Sequence, residues 1–243
     1  LAEPIRWLAA LRVGLIIALR REAIGLDRVH LEALGGAVEI AGPGAEAARC
    51  GARRLLDRGA RLLLSWGTAG ALADFAPGTL LLPRSVCGDA GLELCLNVDA
   101  GAILARRFYG IAPLQTGLLC SVARPLTAVA EKRALQARTG ATAIDMETHA
   151  IAMEAAAAGV EMAAVRVVVD GRDMIVPEAA LAALDGPALR IDRLLLSLLR
   201  RPGQLRALLE LARASRRADT VLRGCAKRLP ALLGDLDLPA CSA

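Results

Sequence analysis

Short, unbroken aliphatic runs alternate in this chain with longer amphipathic stretches, the arrangement expected of buried strands and the helices that cover them. Arg12 to Ala18 is the first such run and Ala37 to Ala41 the second. From the latter, a Gly42-Pro43-Gly44 turn leads into a helix predicted over Ala45 to Asp57, which Gly59 stops. The turn is either a plain strand-to-helix connection or a place where a ligand approaches backbone at a helix N-terminus. A third strand, Arg61 to Trp66, opens into Gly67-Thr68-Ala69-Gly70. That stretch reads as a glycine-rich loop, able to offer N–H groups and one hydroxyl to a phosphate or a sugar. Further strands are predicted at Thr79 to Cys87 and Gln115 to Ser121, and helices at about Asp99 to Phe108 and Thr127 to Arg138.

The stretch from Ala143 to Asp173 organises the rest. An apolar run ends in Asp145-Met146-Glu147, an alanine-rich helix reaches Gly159, and a second run, Met162 to Val169, ends in Asp170. If the two strands are parallel neighbours, a right-handed crossover places both carboxyl ends on one edge and brings Glu147 beside Asp170. Singly, Glu147 is equally well an acid favoured by a helix N-terminus and Asp170 a loop residue. Their pairing is what points to a site. Beyond Asp170 four helices are predicted, at Pro177 to Leu184, Arg190 to Arg200, Pro202 to Ala214 and Ala218 to Leu232.

The alternation predicts an α/β fold with three layers, α/β/α, around a mixed, largely parallel central sheet. At 243 residues the chain reads as a single domain over 1–243, with 177–243 a mostly helical C-terminal extension. Four polar features follow strand ends: Glu22, the Gly67 to Gly70 stretch, Met146-Glu147 and Asp170. Ligands of such sheets bind outside the carboxyl ends of the strands, so the four are expected to line one pocket.

Composition narrows the choices. Aromatic residues are only 2% of the chain, which argues against single-stranded nucleic acid as a partner, since that binding depends on stacked rings. The net charge of +5 suits solubility, an anionic ligand or an anionic lipid surface. Six cysteines fall into no metal-ligand spacing and read as reduced packing residues of a cytoplasmic protein. No apolar run reaches the roughly 18 residues that span a bilayer, and the arginine-bearing start is not read as a signal peptide.

Separated carboxylates, an anion-type loop and no metal cluster suit cleavage of a glycosidic bond through a cationic, sugar-centred transition state. One acid protonates the leaving group while another carboxylate holds the sugar. Four stretches then resemble the purine nucleoside phosphorylase and nucleosidase superfamily: GLIIALRRE at Gly14 to Glu22, SWGTAGAL at Ser65 to Leu72, IDMETHAIA at Ile144 to Ala152, and VRVVVD at Val165 to Asp170. The continuation DGRDMIVPEAALAALDG and the tail RRPGQLRALLELARASRRA are most similar to hopanoid-associated phosphorylases, which act on adenosylhopane. The resemblance implies that Asp170 protonates or hydrogen-bonds the purine at N7, that Glu147 holds the ribose hydroxyls, and that Met146 packs beneath the sugar. It implies that Thr68, Ala69 and Gly70 face the nucleophile. Glu22 matches the acid that activates water in the nucleosidases, so the nucleophile, phosphate or water, stays open.

Two positions depart from the nucleosidase pattern. Val169 replaces the Ser usual before the purine-side Asp, and Arg124-Pro125 stands where a base-stacking Phe is usual. Arg124 either stacks on the base or holds an anion, or is a solvated loop residue. His149 reads as a structural or surface histidine, because positions two apart on a helix do not share a face with Glu147. The resemblance further implies no cofactor beyond inorganic phosphate as co-substrate, a homo-oligomer, and a lipid-linked nucleoside as substrate. The basic, leucine-rich tail accordingly predicts peripheral contact with an anionic inner membrane. The alternatives are a hydrolase of methylthioadenosine or S-adenosylhomocysteine and a non-catalytic nucleoside-binding protein.

Overall fold

The computed structural model describes residues 13–89, 91–177 and 205–235. In chain order the elements are β1 (Val13–Ile17), a short 3-10 turn (Arg20–Ala23), α1 (Arg28–Ala33), β2 (Gly36–Ile40), α2 (Ala45–Asp57) and β3 (Leu62–Ala71). There follow β4 (Leu80–Leu81), β5 (Ser85–Gly88), β6 (Glu93–Cys95), α3 (Val98–Phe108), β7 (Leu114–Gln115) and β8 (Leu118–Ser121). The chain continues through α4 (Val129–Thr139), β9 (Ala143–Asp145), α5 (Thr148–Ala157), β10 (Glu161–Asp170) and α6 (Leu205–Asp235).

β3 is the axis of the sheet. Its first half pairs with β1 on one side, and β10 runs parallel to it on the other. Its last two residues, Gly70 and Ala71, pair antiparallel with β9. β2 extends the sheet past β1, β4 and β7 extend it past β10, and β8, β5 and β6 continue it from β9. Parallel pairings predominate, as expected of this mixed α/β sheet.

Strand residues alternate between two cores. Leu15 and Ile17 of β1 and Val165 and Val167 of β10 face α3 and α6, meeting Leu104, Phe108, Leu222 and Leu229. Ile16, Leu63, Met162 and Ala164 face α2 and α5, meeting Ala52, Leu55, Ile151 and Ala155. Both sheet faces are covered, which is why these strands are aliphatic without interruption. Gly14 lets α2 close down on β1, since a Cβ there would lie 2.9 Å from the Leu55 side chain.

Several expectations are corrected. The Gly67 to Gly70 stretch is no loop: it is the second half of β3, in extended backbone. β9 and β10 are not parallel neighbours; β3 lies between them, antiparallel to β9 and parallel to β10. The strand predicted over Thr79 to Cys87 divides at Pro83, which has no N–H for a ladder. The strand over Gln115 to Ser121 divides at Gly117, φ 150°. The two chains stay bonded through this corner, Leu82 N to Gln115 O and Arg84 N to Gly117 O, both 3.0 Å. α1 and β6 were not anticipated, although Asp27 caps α1 by accepting from His30 N at 3.0 Å.

The helices predicted at Pro177 to Leu184 and Arg190 to Arg200 lie outside the described residues. The two expected after them merge into α6, because Ser215-Arg216-Arg217 contains no breaker. A buried stripe of Ala214, Ala218, Leu222, Cys225 and Leu229 runs straight through.

Candidate active site

Glu22 is carried by the 3-10 turn after β1 and is buried, with 3% of its surface exposed. Its Oε1 accepts from the Thr68 backbone N–H at 2.9 Å and from the Thr68 hydroxyl at 2.6 Å. Its Oε2 accepts from Leu19 N at 3.1 Å, and its own carbonyl accepts from the Trp66 indole N–H at 3.0 Å. A Cβ on Gly67 would lie 2.9 Å from Oε2. The glycine is therefore there to clear a carboxylate of the protein, and the Thr68 donors serve that same carboxylate.

Glu147 stands at the N-terminus of α5. Its Oε1 accepts from Gly44 N at 2.7 Å and its Oε2 from Met146 N at 3.2 Å. The Gly42-Pro43-Gly44 turn thus presents the start of α2 to a side chain, with Gly44 at φ 93° to aim its N–H. Burial pushes the Glu147 carboxyl up to about 7, and the charge of Asp145 adds to the push. The Gly44 N–H and Arg166 act the other way, and nearby Glu22 raises it further.

Asp145 and Arg166 form a buried ion pair beneath Glu147, Nη2 to Oδ2 2.7 Å. Arg166 Nη2 also reaches the hydroxyls of Ser65 (2.6 Å) and Thr148 (2.7 Å). The second Asp145 oxygen accepts from the Ser121 hydroxyl at 2.5 Å, and the Thr148 hydroxyl donates to Asp145 as well. Every polar group in this network has a partner, so the base of α5 and with it Glu147 is fixed in place. Glu22, Thr68 and Glu147 line one recess, with Arg166 in its wall.

Asp170 ends β10, beside Gly70 of β3. The β10 register slips by one residue between Val168 and Asp170, and the carboxylate turns onto Gly70, where a Cβ would sit 3.0 Å from Oδ2. A bulge of this kind re-aims a side chain beside a site. Gly67 and Gly70 are three residues apart, about 10 Å along an extended strand. In extended backbone the two positions face opposite sides of the sheet, and Asp170 is not among the residues lining the recess of Glu22 and Glu147, so the expected single pocket for all four features is not what this recess shows. Asp170 Oδ2 accepts from Lys132 Nζ of α4 at 2.5 Å. Burial pushes the Asp170 carboxyl up, and Lys132 opposes it.

The remaining expected residues are placed as follows. Met146 is half-buried against the cluster of Leu72, Cys120 and Ile144. Ala69 is buried in the core, leaving only its backbone for a ligand. Arg124 is exposed and paired with Glu131 at 2.6 Å, at the start of the helix that carries Lys132. The ring of His149 lies against Gly88 of β5. Sequence reasoning missed Gly44 as the partner of Glu147, the Asp145–Arg166 pair, and Lys132. Lys132 had one available signal: it is one of only two lysines, with Lys227, among 30 basic residues.

Among solved structures, the chain superposes on the 5'-methylthioadenosine/S-adenosylhomocysteine nucleosidase of Helicobacter pylori with TM-score 0.66 at 15% identity, over 93% of this chain and 98% of that one. The nucleosidase of the same name from Neisseria meningitidis matches with TM-score 0.67 at 15% identity, over 93% and 100%. The futalosine hydrolase of H. pylori matches with TM-score 0.67 at 16% identity, over 93% and 99%. At these identities the likeness is one of fold. No curated protein matches the sequence. The family model of the phosphorylase superfamily matches residues 33–199, and the chain belongs to that superfamily.

Proposed function

We propose that this nucleoside phosphorylase or nucleosidase cleaves the N-glycosidic bond of an adenosine-type nucleoside and releases adenine. Asp170 passes a proton to N7 of the purine. The bond between C1' and N9 breaks with its electron pair leaving on the base, and positive charge develops on the sugar. Glu147 accepts hydrogen bonds from the ribose hydroxyls and faces that charge, with Met146 beneath the sugar. The likeness in fold to a 5'-methylthioadenosine/S-adenosylhomocysteine nucleosidase and to a futalosine hydrolase supports this class of reaction.

The nucleophile that the geometry favours is water. The observation carrying this reading is the Glu22 carboxylate seated on the Thr68 N–H and hydroxyl. A phosphate would need those donors, and it would meet a like charge there. Water instead finds a carboxylate placed to take its proton as it attacks C1'.

Phosphorolysis of adenosylhopane is the second reading. It is supported by the similarity of the segments after Asp170 and around Pro202 to the hopanoid-associated phosphorylases, and by the exposed basic residues of α6. Adenine release measured with and without inorganic phosphate separates the two, on methylthioadenosine and on adenosylhopane. A rate independent of phosphate, with free sugar as product, is expected. A sugar 1-phosphate and an absolute need for phosphate would overturn hydrolysis in favour of phosphorolysis. In either case Asp170→Asn is expected to lose about two orders of magnitude in turnover; full turnover in a folded variant removes Asp170 from its role.

A further inference from the structure

Lys132 has no place in the reaction as described, yet its side chain is wholly buried. Its ammonium meets three oxygens: Asp170 Oδ2 at 2.5 Å, Gly171 O at 2.9 Å and Met174 O at 3.1 Å. Three acceptors match the three N–H donors of the charged amine; a neutral amine has only two. The two carbonyls belong to the chain just after β10, so the same amine ties Asp170 to the segment that follows it. Arginine could not substitute here, since its planar fork does not fit three oxygens converging on one point. The chain uses arginine at nearly every other basic position, and the lysine at 132 is an exception with a geometric reason.

Among the described residues this amine is the charge that acts on Asp170. On the β3 and β9 side the carboxylate faces Gly70 and, next to it, Ile144. The other charges close by in sequence are occupied elsewhere: Arg124 with Glu131, and Arg133 and Arg172 with Asp173, all at the surface. One oxygen of Asp170 is thus held by the amine, which leaves Oδ1 to meet a ligand.

We infer that Lys132 is a positioning residue for Asp170, holding Oδ2 and the chain after β10 so that Oδ1 is the oxygen that faces the purine. The inference rests on the assignment of Asp170 as the purine-side acid. Burial raises the proton affinity of Asp170 and the adjacent cation lowers it. A carboxyl released from the cation holds its proton to higher pH and gives it up less readily.

Lys132→Met tests this in the full-length enzyme. Turnover at the pH optimum is expected to fall about tenfold or more. The alkaline decline of kcat/KM is expected to move upward by about one to three pH units. A merely structural loss would scale the whole profile down without moving it, and an unmoved alkaline limb in a folded variant overturns the inference. In an Asp170→Asn background the lysine substitution is expected to change turnover no further. Full activity in Asp170→Asn alone would instead strike the assignment of the acid.

Should Lys132→Met fail to fold, the wild-type protein answers the question, because 15N-lysine labelling gives only two side-chain signals. The Lys132 ammonium is expected to be protected from exchange, to shift on adding adenine, and to shift in Asp170→Asn, while Lys227 does none of these. A Lys132 signal that exchanges like Lys227 and ignores both changes overturns the proposal.

Discussion

The role proposed for Glu147 sets up a conflict: a carboxyl that holds ribose must be ionised to accept two hydroxyls, while its burial favours the neutral form. Its carboxyl stands at about 7 against an ordinary value near 4.5. Below the ordinary value it is protonated in both folded and unfolded chains and costs nothing. As pH rises toward 7 the unfolded chain ionises first, so stability is lost across that window and the loss is complete above it. Glu147→Gln keeps an oxygen for the Gly44 N–H, gives up the weaker bond from Met146 N, and removes the titration. In urea unfolding its stability relative to the wild type is expected to rise between pH 4 and pH 8 by on the order of 1–3 kcal/mol. The same ionisation predicts that wild-type kcat/KM rises with pH through about 7. Equal stability differences at pH 4 and 8 would show that Glu147 titrates as an ordinary carboxyl. The three acids proposed for the site drew attention because each stands at or just past the end of an apolar run, Glu22 after Arg20 and Arg21. Lys132 did not, since two of its acceptors are backbone carbonyls that come near only once α4 docks against the end of β10.

β3 shows how a strand can be read for the wrong element. Glycines after an apolar run suggest a loop, because in isolation they give the chain freedom. Here neither Gly67 nor Gly70 uses that freedom; each is small because a carboxylate from another element presses onto it. The stretch drew attention as a loop and is a strand, and no local pattern distinguishes a flexible glycine from a crowded one. Gly67→Ala separates them. Extended backbone accepts alanine without strain, so the fold is expected to persist, while the new methyl displaces Glu22 and lowers turnover about 100-fold. Gly101→Ala in α3, where nothing lies within 4 Å of the added carbon, is the control and is expected to leave turnover unchanged. A fully active Gly67→Ala would mean that Glu22 need not sit where it does. The breaks at Pro83 and Gly117 were marked in the sequence, but that the broken strands stay paired around the corner depends on partners far along the chain.

The three-layer architecture followed from the alternation of elements, whereas the division of labour along α6 depends on what the helix touches. Between Ala214 and Leu229 its apolar stripe is spent on the core facing β10. Among the described residues no helix is long and apolar enough to cross a membrane. Toward its start, however, Leu205 and Leu209 are about half exposed, and Arg213, Arg216, Arg217, Arg223 and Lys227 point to solvent along it. Near the other end Arg228 reaches the carbonyls of Arg107 and Tyr109 at 2.8 and 2.9 Å, bringing Arg106 and Lys227 into one basic recess. Near the start of the helix Arg206 pairs with Glu210 at 3.2 Å. A lipid-linked nucleoside leaves its bilayer only at a cost of about 0.8 kcal/mol per exposed CH₂, so an enzyme acting on one gains by coming to the surface. Each arginine near an anionic surface contributes on the order of 1 kcal/mol, and salt weakens that attraction. On the reading with a lipid-linked substrate, co-sedimentation is expected with anionic vesicles at low salt, weakly at high salt, and not with neutral vesicles. Replacing Arg213, Arg216 and Arg217 with Gln together should release the protein from the anionic vesicles while leaving cleavage of a soluble nucleoside intact. Absent binding at low salt, or equal binding to both vesicle types, would assign the exposed leucines at the start of α6 to a neighbouring subunit, and sedimentation velocity would then show the oligomer.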